Sequence, residues 1–113
     1  MPISISDVDT LKTYIEGVMG RAEHHANNVS AIGLALAGAI VWRKDADAIE
    51  VMAQEGDLKN VLWVKISGHR YAFSYNHSAK EIEMRENTTR GAVLHRFSNG
   101  TLIHDVERIF RGL

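Results

Sequence analysis

The sequence predicts an α+β domain: a four- or five-stranded antiparallel meander with two helices before it and one after, all packed on the sheet. Three observations carry this expectation. Between residues 60 and 99, large apolar residues alternate with polar ones at period two and are broken by short polar turns, the pattern of half-buried strands. Before residue 43 and after residue 101, apolar residues recur instead at the three- and four-residue spacing of helices. The 113 residues are 45% hydrophobic, which suits one core and a single domain over residues 1–113.

Taken in order, Ser6 and Asp9 form a capping-box-like start. Val8, Leu11, Ile15, Val18 and Ala22 then make one apolar stripe, predicting a helix over 7–25. Asn28 or Ser30 caps a second helix, in which Val29, Ile32, Leu34, Leu36, Ile40, Val41 and Trp42 go round the whole cylinder. A helix apolar on all sides is expected to be buried on all sides, with Gly33, Ala37 and Gly38 permitting close approach of a neighbour. The alternative ends this helix near Gly38 and makes 39–43 a strand; helix is the preferred reading. Arg43 to Asp47 is a charged turn. Ile49 to Ala53 then supplies a fifth strand, pairing with Asn60 to Ile66 across a loop at 54–59.

Within the meander, Leu62, Val64 and Ile66 alternate with polar residues and Trp63, and Tyr71, Phe73 and Tyr75 with small or polar ones. A Gly68-His69 loop of type II′ pairs Ile66 with Tyr71, Val64 with Phe73 and Leu62 with Tyr75. A loop at 77–80 sets Tyr75 opposite Ile82 and Phe73 opposite Met84. After a polar turn at 87–91, a strand over 92–98 brings Val93, His95 and Phe97 to the core face and Leu94 to the reverse. The reverse face then reads in two rows: Trp63, Ser74, Glu83, Arg96, and Lys65, Ala72, Arg85, Leu94. Glu83 and Arg96 form a cross-strand ion pair. Trp63, beside Ala72 and Ser74, needs a cover: a helix, a second subunit or a ligand. Asn99 or Thr101 caps the last helix, whose Leu102, Val106, Ile109, Phe110 and Leu113 share a face.

Composition excludes several functions. Thirteen basic and fourteen acidic residues give a formal net charge of −1, with no basic block to neutralise phosphates, so no nucleic-acid partner is expected. Without cysteine there are no disulfides, thiolate metal sites or cysteine nucleophiles, which suits a reducing cytoplasm. The N-terminus does not read as a secretory signal, and the uncharged run 26–42 is too short and too polar at its start to span a bilayer. A cytoplasmic protein with no membrane partner is expected.

The adjacent His24 and His25 diverge by about 100° on a helix and do not chelate one metal. No metal site is expected, and with only scattered glycines and no phosphate-binding loop, no cofactor. His95 reads as a core histidine bonded to Tyr71 or Tyr75, with a ligand or general-base role as the alternative. Tyr75-Asn76-His77-Ser78 collects polar groups at a hairpin end, where they are also ordinary turn residues. No catalytic residue is assigned. The candidate binding residues are Trp63, Ser74, Tyr75, His77, Glu83, Arg85, His95 and Arg96.

Five stretches taken together, HHANN at 24–28, LALAGAIVWRKD at 34–45, NVLWVKI at 60–66, RYAFSYNH at 70–77 and LHRFSN at 94–99, resemble small bacterial proteins encoded on integron-type mobile gene cassettes. The resemblance covers most of the chain from about residue 20. It implies an accessory bacterial protein without implying an activity. Two classes of function remain. One is a non-enzymatic module that binds a small molecule or a protein, acting as a homodimer because large apolar residues outnumber what one sheet face can bury. The other is a small enzyme with a pocket centred on His95 and Tyr75, near Glu83 or Arg85. A toxin–antitoxin type of partnership is a third reading.

Overall fold

Six strands in chain order form one antiparallel sheet: β1 (Pro2–Ile5), β2 (Ile49–Gln54), β3 (Asp57–Ile66), β4 (His69–Asn76), β5 (Glu81–Glu86) and β6 (Val93–Phe97). Helix α1 (Ser30–Arg43) precedes β2, and α2 (Ile103–Arg111) follows β6. This is a computed structural model, which describes residues 2–5, 30–46, 49–54, 57–76 and 78–113. The helix expected over 7–25 lies outside the described residues. Of the two helices expected before the sheet, the described residues therefore hold one, α1.

The predicted meander is β2 to β6, and β1 adds a sixth strand that was not foreseen. Four residues are too few to establish an alternation. Pro2 is the first residue of an edge strand, a position where proline is tolerated in a sheet. Strand β2 pairs with β3 as expected, but the strands run on to Gln54 and Asp57, so the loop is shorter than 54–59. Residues 39–43 are helical, which removes the strand alternative.

The β4–β5 register matches expectation: Tyr75 faces Ile82 and Phe73 faces Met84. The β3–β4 register does not. Leu62 faces Phe73 and Val64 faces Tyr71, because the loop is Ser67-Gly68 and not Gly68-His69. Both loop residues have positive φ (52° and 81°), the requirement of a type I′ turn in place of the II′ turn expected. The correction is two residues, an even number, so every side chain keeps its face. In β6 a register shift between Met84 and Arg85 pairs Arg85 with Val93 and displaces Leu94 from its expected row.

One face of the sheet is the core. Ile49, Val51, Leu62, Val64, Ile66, Tyr71, Phe73, Ile82, Met84 and Phe97 pack there under Ile32, Leu36 and Ile40 of α1 and Val106 and Phe110 of α2. Helix α1 is thus buried on one side only, contrary to the all-round burial expected. Its inward stripe repeats at four-residue spacing, while Leu34, Val41 and Trp42 face outward and are exposed. Thirteen residues without a charge mark an unusual helix, but they do not say what covers it.

The helices lie side by side with the same polarity, as the bonds at their ends show. At one end, the side chain of Asn99 accepts a hydrogen bond from the Ile32 N–H (3.0 Å), capping α1 from 67 residues away. Asn99 was expected to cap the last helix. That helix instead starts after Leu102 with no side-chain cap. Thr101 accepts from the Ser98 N–H, and Leu102 is exposed instead of joining the buried face. At the other end, Arg43 donates to the Leu113 carbonyl (2.7 Å), as does the Ser67 hydroxyl (3.1 Å).

Asp45 locks this end to the β3–β4 hairpin. Its carboxylate accepts from the N–H groups of Ser67 (2.9 Å) and Gly68 (2.8 Å), and its own N–H donates to the Lys65 carbonyl. Charge-assisted bonds to backbone N–H groups are among the stronger ones. Asp45→Ala should therefore lower stability by about 1–2 kcal/mol in urea denaturation. Asp45→Asn, which keeps one acceptor, should lose less.

Candidate functional site

The reverse face of the sheet gathers five of the eight candidate binding residues. Alternation along β3, β4 and β5 turns Trp63, Ser74, Glu83 and Arg85 to this side, and the β5–β6 register sets Arg96 directly opposite Glu83. Glu83 is its centre: 5% exposed, it is the one buried charged residue among those described. Its carboxylate accepts from Arg85 (2.8 Å), Asn76 (3.2 Å) and, at longer range, Arg96 (3.5 Å). Arg85 also donates to the Gly91 carbonyl, and Arg96 reaches Glu81 at 3.3 Å.

The hydrogen bond from Arg85 holds the Glu83 carboxyl below the usual carboxylate range, and the one from Asn76 adds to this. Burial works the other way and is outweighed. A carboxylate held ionised by several donors is a weak general base at neutral pH. Asn76 and Glu81 were not among the candidates. Asn76 is two residues beyond Ser74 and so shares its face, and Glu81 lies opposite it. The alternation was therefore a sufficient signal, passed over because Asn76 reads as a turn residue. It is one as well, accepting from the Ala79 N–H.

Trp63 also differs from expectation. It pairs with Ala72 and Glu50, not with Ser74, and the Arg70 guanidinium lies over its ring at 5.2 Å while bonding Glu50 at 3.4 Å. The residue is 7% exposed, so it adds nothing to an open apolar patch on this face. Its indole N–H is buried and has no hydrogen-bond partner among the described residues.

Tyr75 and His95 do not join this network. Tyr75 packs against the core cluster, and His95 opposes Met84 with its ring 6.1 Å from that of Phe97. His95 is half-buried, not enclosed as a core histidine would be. A pocket holding His95 with Glu83 or Arg85 is not formed, since those groups stand on opposite faces of one sheet. His77, His24 and His25 lie outside the described residues. Tyr71 is buried opposite Glu86; burial first, and the nearby carboxylate second, push its phenol up and keep it neutral. Among the described residues, no three His, Asp or Glu side chains are grouped to hold a metal ion. No described helix is long and apolar enough to cross a membrane.

The second unusual surface is the outer side of the helical layer. Six large hydrophobic residues are exposed among those described, and five belong to this layer: Leu34, Val41 and Trp42 on α1, and Leu102 and Ile103 at the start of α2. Leu94 is the sixth. Two guanidinium groups lie over the Trp42 ring, Arg111 at 5.3 Å and Arg43 at 5.8 Å. None of these is among the candidate binding residues: Leu34, Val41 and Trp42 are expected on a helix buried all round, and Leu102 on the inner face of the last helix.

A family model described as integron cassette protein VCH_CASS1 chain matches residues 11–106. No curated protein matches the chain.

Proposed function

The chain belongs to the integron cassette protein family matched over residues 11–106, and from that premise we propose that it is a non-enzymatic interaction module acting as a homo-oligomer. The observation that carries this reading is the exposed apolar side of the helical layer. Solvent-facing helix surfaces ordinarily carry charge, and contiguous apolar patches beyond a few hundred Å² commonly mark interaction sites. The reverse face supports the same reading from the other direction. Its charged groups are spent on each other, with Glu83 committed to Arg85, Asn76 and Arg96. They form a bonded network in which Glu83 is held ionised.

Sedimentation equilibrium at micromolar concentration tests the proposal. The expected species has twice the 12.6 kDa chain mass. A single 12.6 kDa species across the concentration range sinks it.

A further inference from the structure

Nothing within the described chain explains Gly38. It lies mid-way along α1 on the exposed side, and beyond the helix's own neighbouring backbone a β-carbon added there would meet no described atom within 4 Å. Glycine in a helix interior is less favourable than alanine, and a bare backbone on an exposed helix face lets another helix approach closely. Leu34 and Val41 stand four and three residues to either side of it, 60% and 56% exposed. Residues 30–42 carry no charge, and at helical spacing Leu34, Gly38, Val41 and Trp42 fall within an arc of about 100°.

We infer that two copies of this chain pair through α1, antiparallel across a two-fold axis that passes beside Gly38. The inference rests on the homo-oligomer reading and specifies its interface. The spacing is self-complementary: with the axis between Ala37 and Gly38, so that Gly38 of each copy lies against Ala37 of the other, Leu34 of each copy meets Val41 of the other, as an isologous contact requires. Glycine at the crossing point lets the two backbones approach closely. The antiparallel arrangement also carries the Trp42 end of one α1 over the start of the other. There the Asn99 cap brings residues 98–103, and Leu102 and Ile103 are 57% and 66% exposed. The exposed parts of these five large side chains come to roughly 500 Å² per chain, or about 1,000 Å² for a pair, the lower limit for a specific interface. A charged or polar partner would leave this apolar surface unmatched; a second copy matches it in polarity.

Three variants test the pairing by sedimentation, with thermal melting as a check on the fold. Gly38→Gln has open space in the single chain and a better helix former, so it should melt no lower than the parent while dimer affinity falls at least tenfold. Leu34→Asp should also dissociate the dimer at least tenfold. Adding Val41→Lys to Leu34→Asp should restore it, because each new aspartate then faces a lysine across the axis. A parent chain that is monomeric overturns the homo-oligomer reading itself. A dimer that survives both Gly38→Gln and Leu34→Asp overturns this interface alone, and dissociation without rescue by the double variant overturns the antiparallel pairing.

Discussion

Replacing Phe110 with alanine should cost about 3–5 kcal/mol, the range for removing a large aromatic from a packed core. Phe110 is 0% exposed and lies between two other rings, stacked on Phe73 at 6.2 Å and tilted against Phe97 at 6.4 Å. It joins α2 to β4 and β6 at once, so the gap left by its ring has walls from three elements that cannot collapse independently. Domains of this size are stable by about 5–15 kcal/mol in all. The variant should therefore be partly unfolded at 37 °C, with a large drop in urea midpoint. A loss under about 1 kcal/mol would mean that α2 is not docked as described.

Glu83→Gln should have the next largest effect, about 2–3 kcal/mol near neutral pH. Breaking a buried ion pair by removing one charge commonly costs more, but here the Arg96 side chain is half in water and Arg85 a quarter exposed. The pH dependence follows from the lowered carboxyl pKa of Glu83. A group whose pKa is depressed by folding contributes stability that is fully present above its unfolded value, about 4.3. That contribution is lost as pH falls through the lower folded value. Denaturation from pH 7 down to pH 2 should thus show the parent losing its advantage over Glu83→Gln below about pH 4, and the two converging in strong acid. A difference that stays constant to pH 2 would show that the charge of Glu83 is not what stabilises the fold.

Residues with large side chains and a fixed turn made the sheet legible. Alternation puts Phe73, Tyr75, Ile82 and Met84 on one face, the loop at 77–80 then sets Tyr75 against Ile82 and Phe73 against Met84, and β4–β5 has that register. At β3–β4 the sequence Ser67-Gly68-His69 admits two hairpins. Gly68 serves either as the first loop residue or as the second, and the choice turned on whether Ser67 accepts a positive φ. Leu94 escaped because a bulge is invisible to a period-two count. The reverse-face network was partly legible, since alternation places Ser74, Glu83 and Arg96 together. The helical surface was not. Hydrophobic residues on all sides of a helix are the same letters whether a given one is buried or exposed, and only the structure shows that Leu34 and Val41 stand exposed.

The remote cap on α1 has a consequence for synthesis. Consecutive strands pair with their neighbours, so most of the sheet can form as the chain emerges from the ribosome. Helix α1 is made early, yet Asn99, which satisfies the Ile32 N–H, comes 67 residues later, and Leu113, which accepts from Arg43, comes 70 later. Phe110 belongs to the same late segment. Until residues 99–113 appear, the nascent meander has lost part of its cover, and α1 lacks a bond at each end. Residues 99–113 thus clasp α1 to the sheet, and a nascent chain stalled before them exposes apolar surface that favours aggregation.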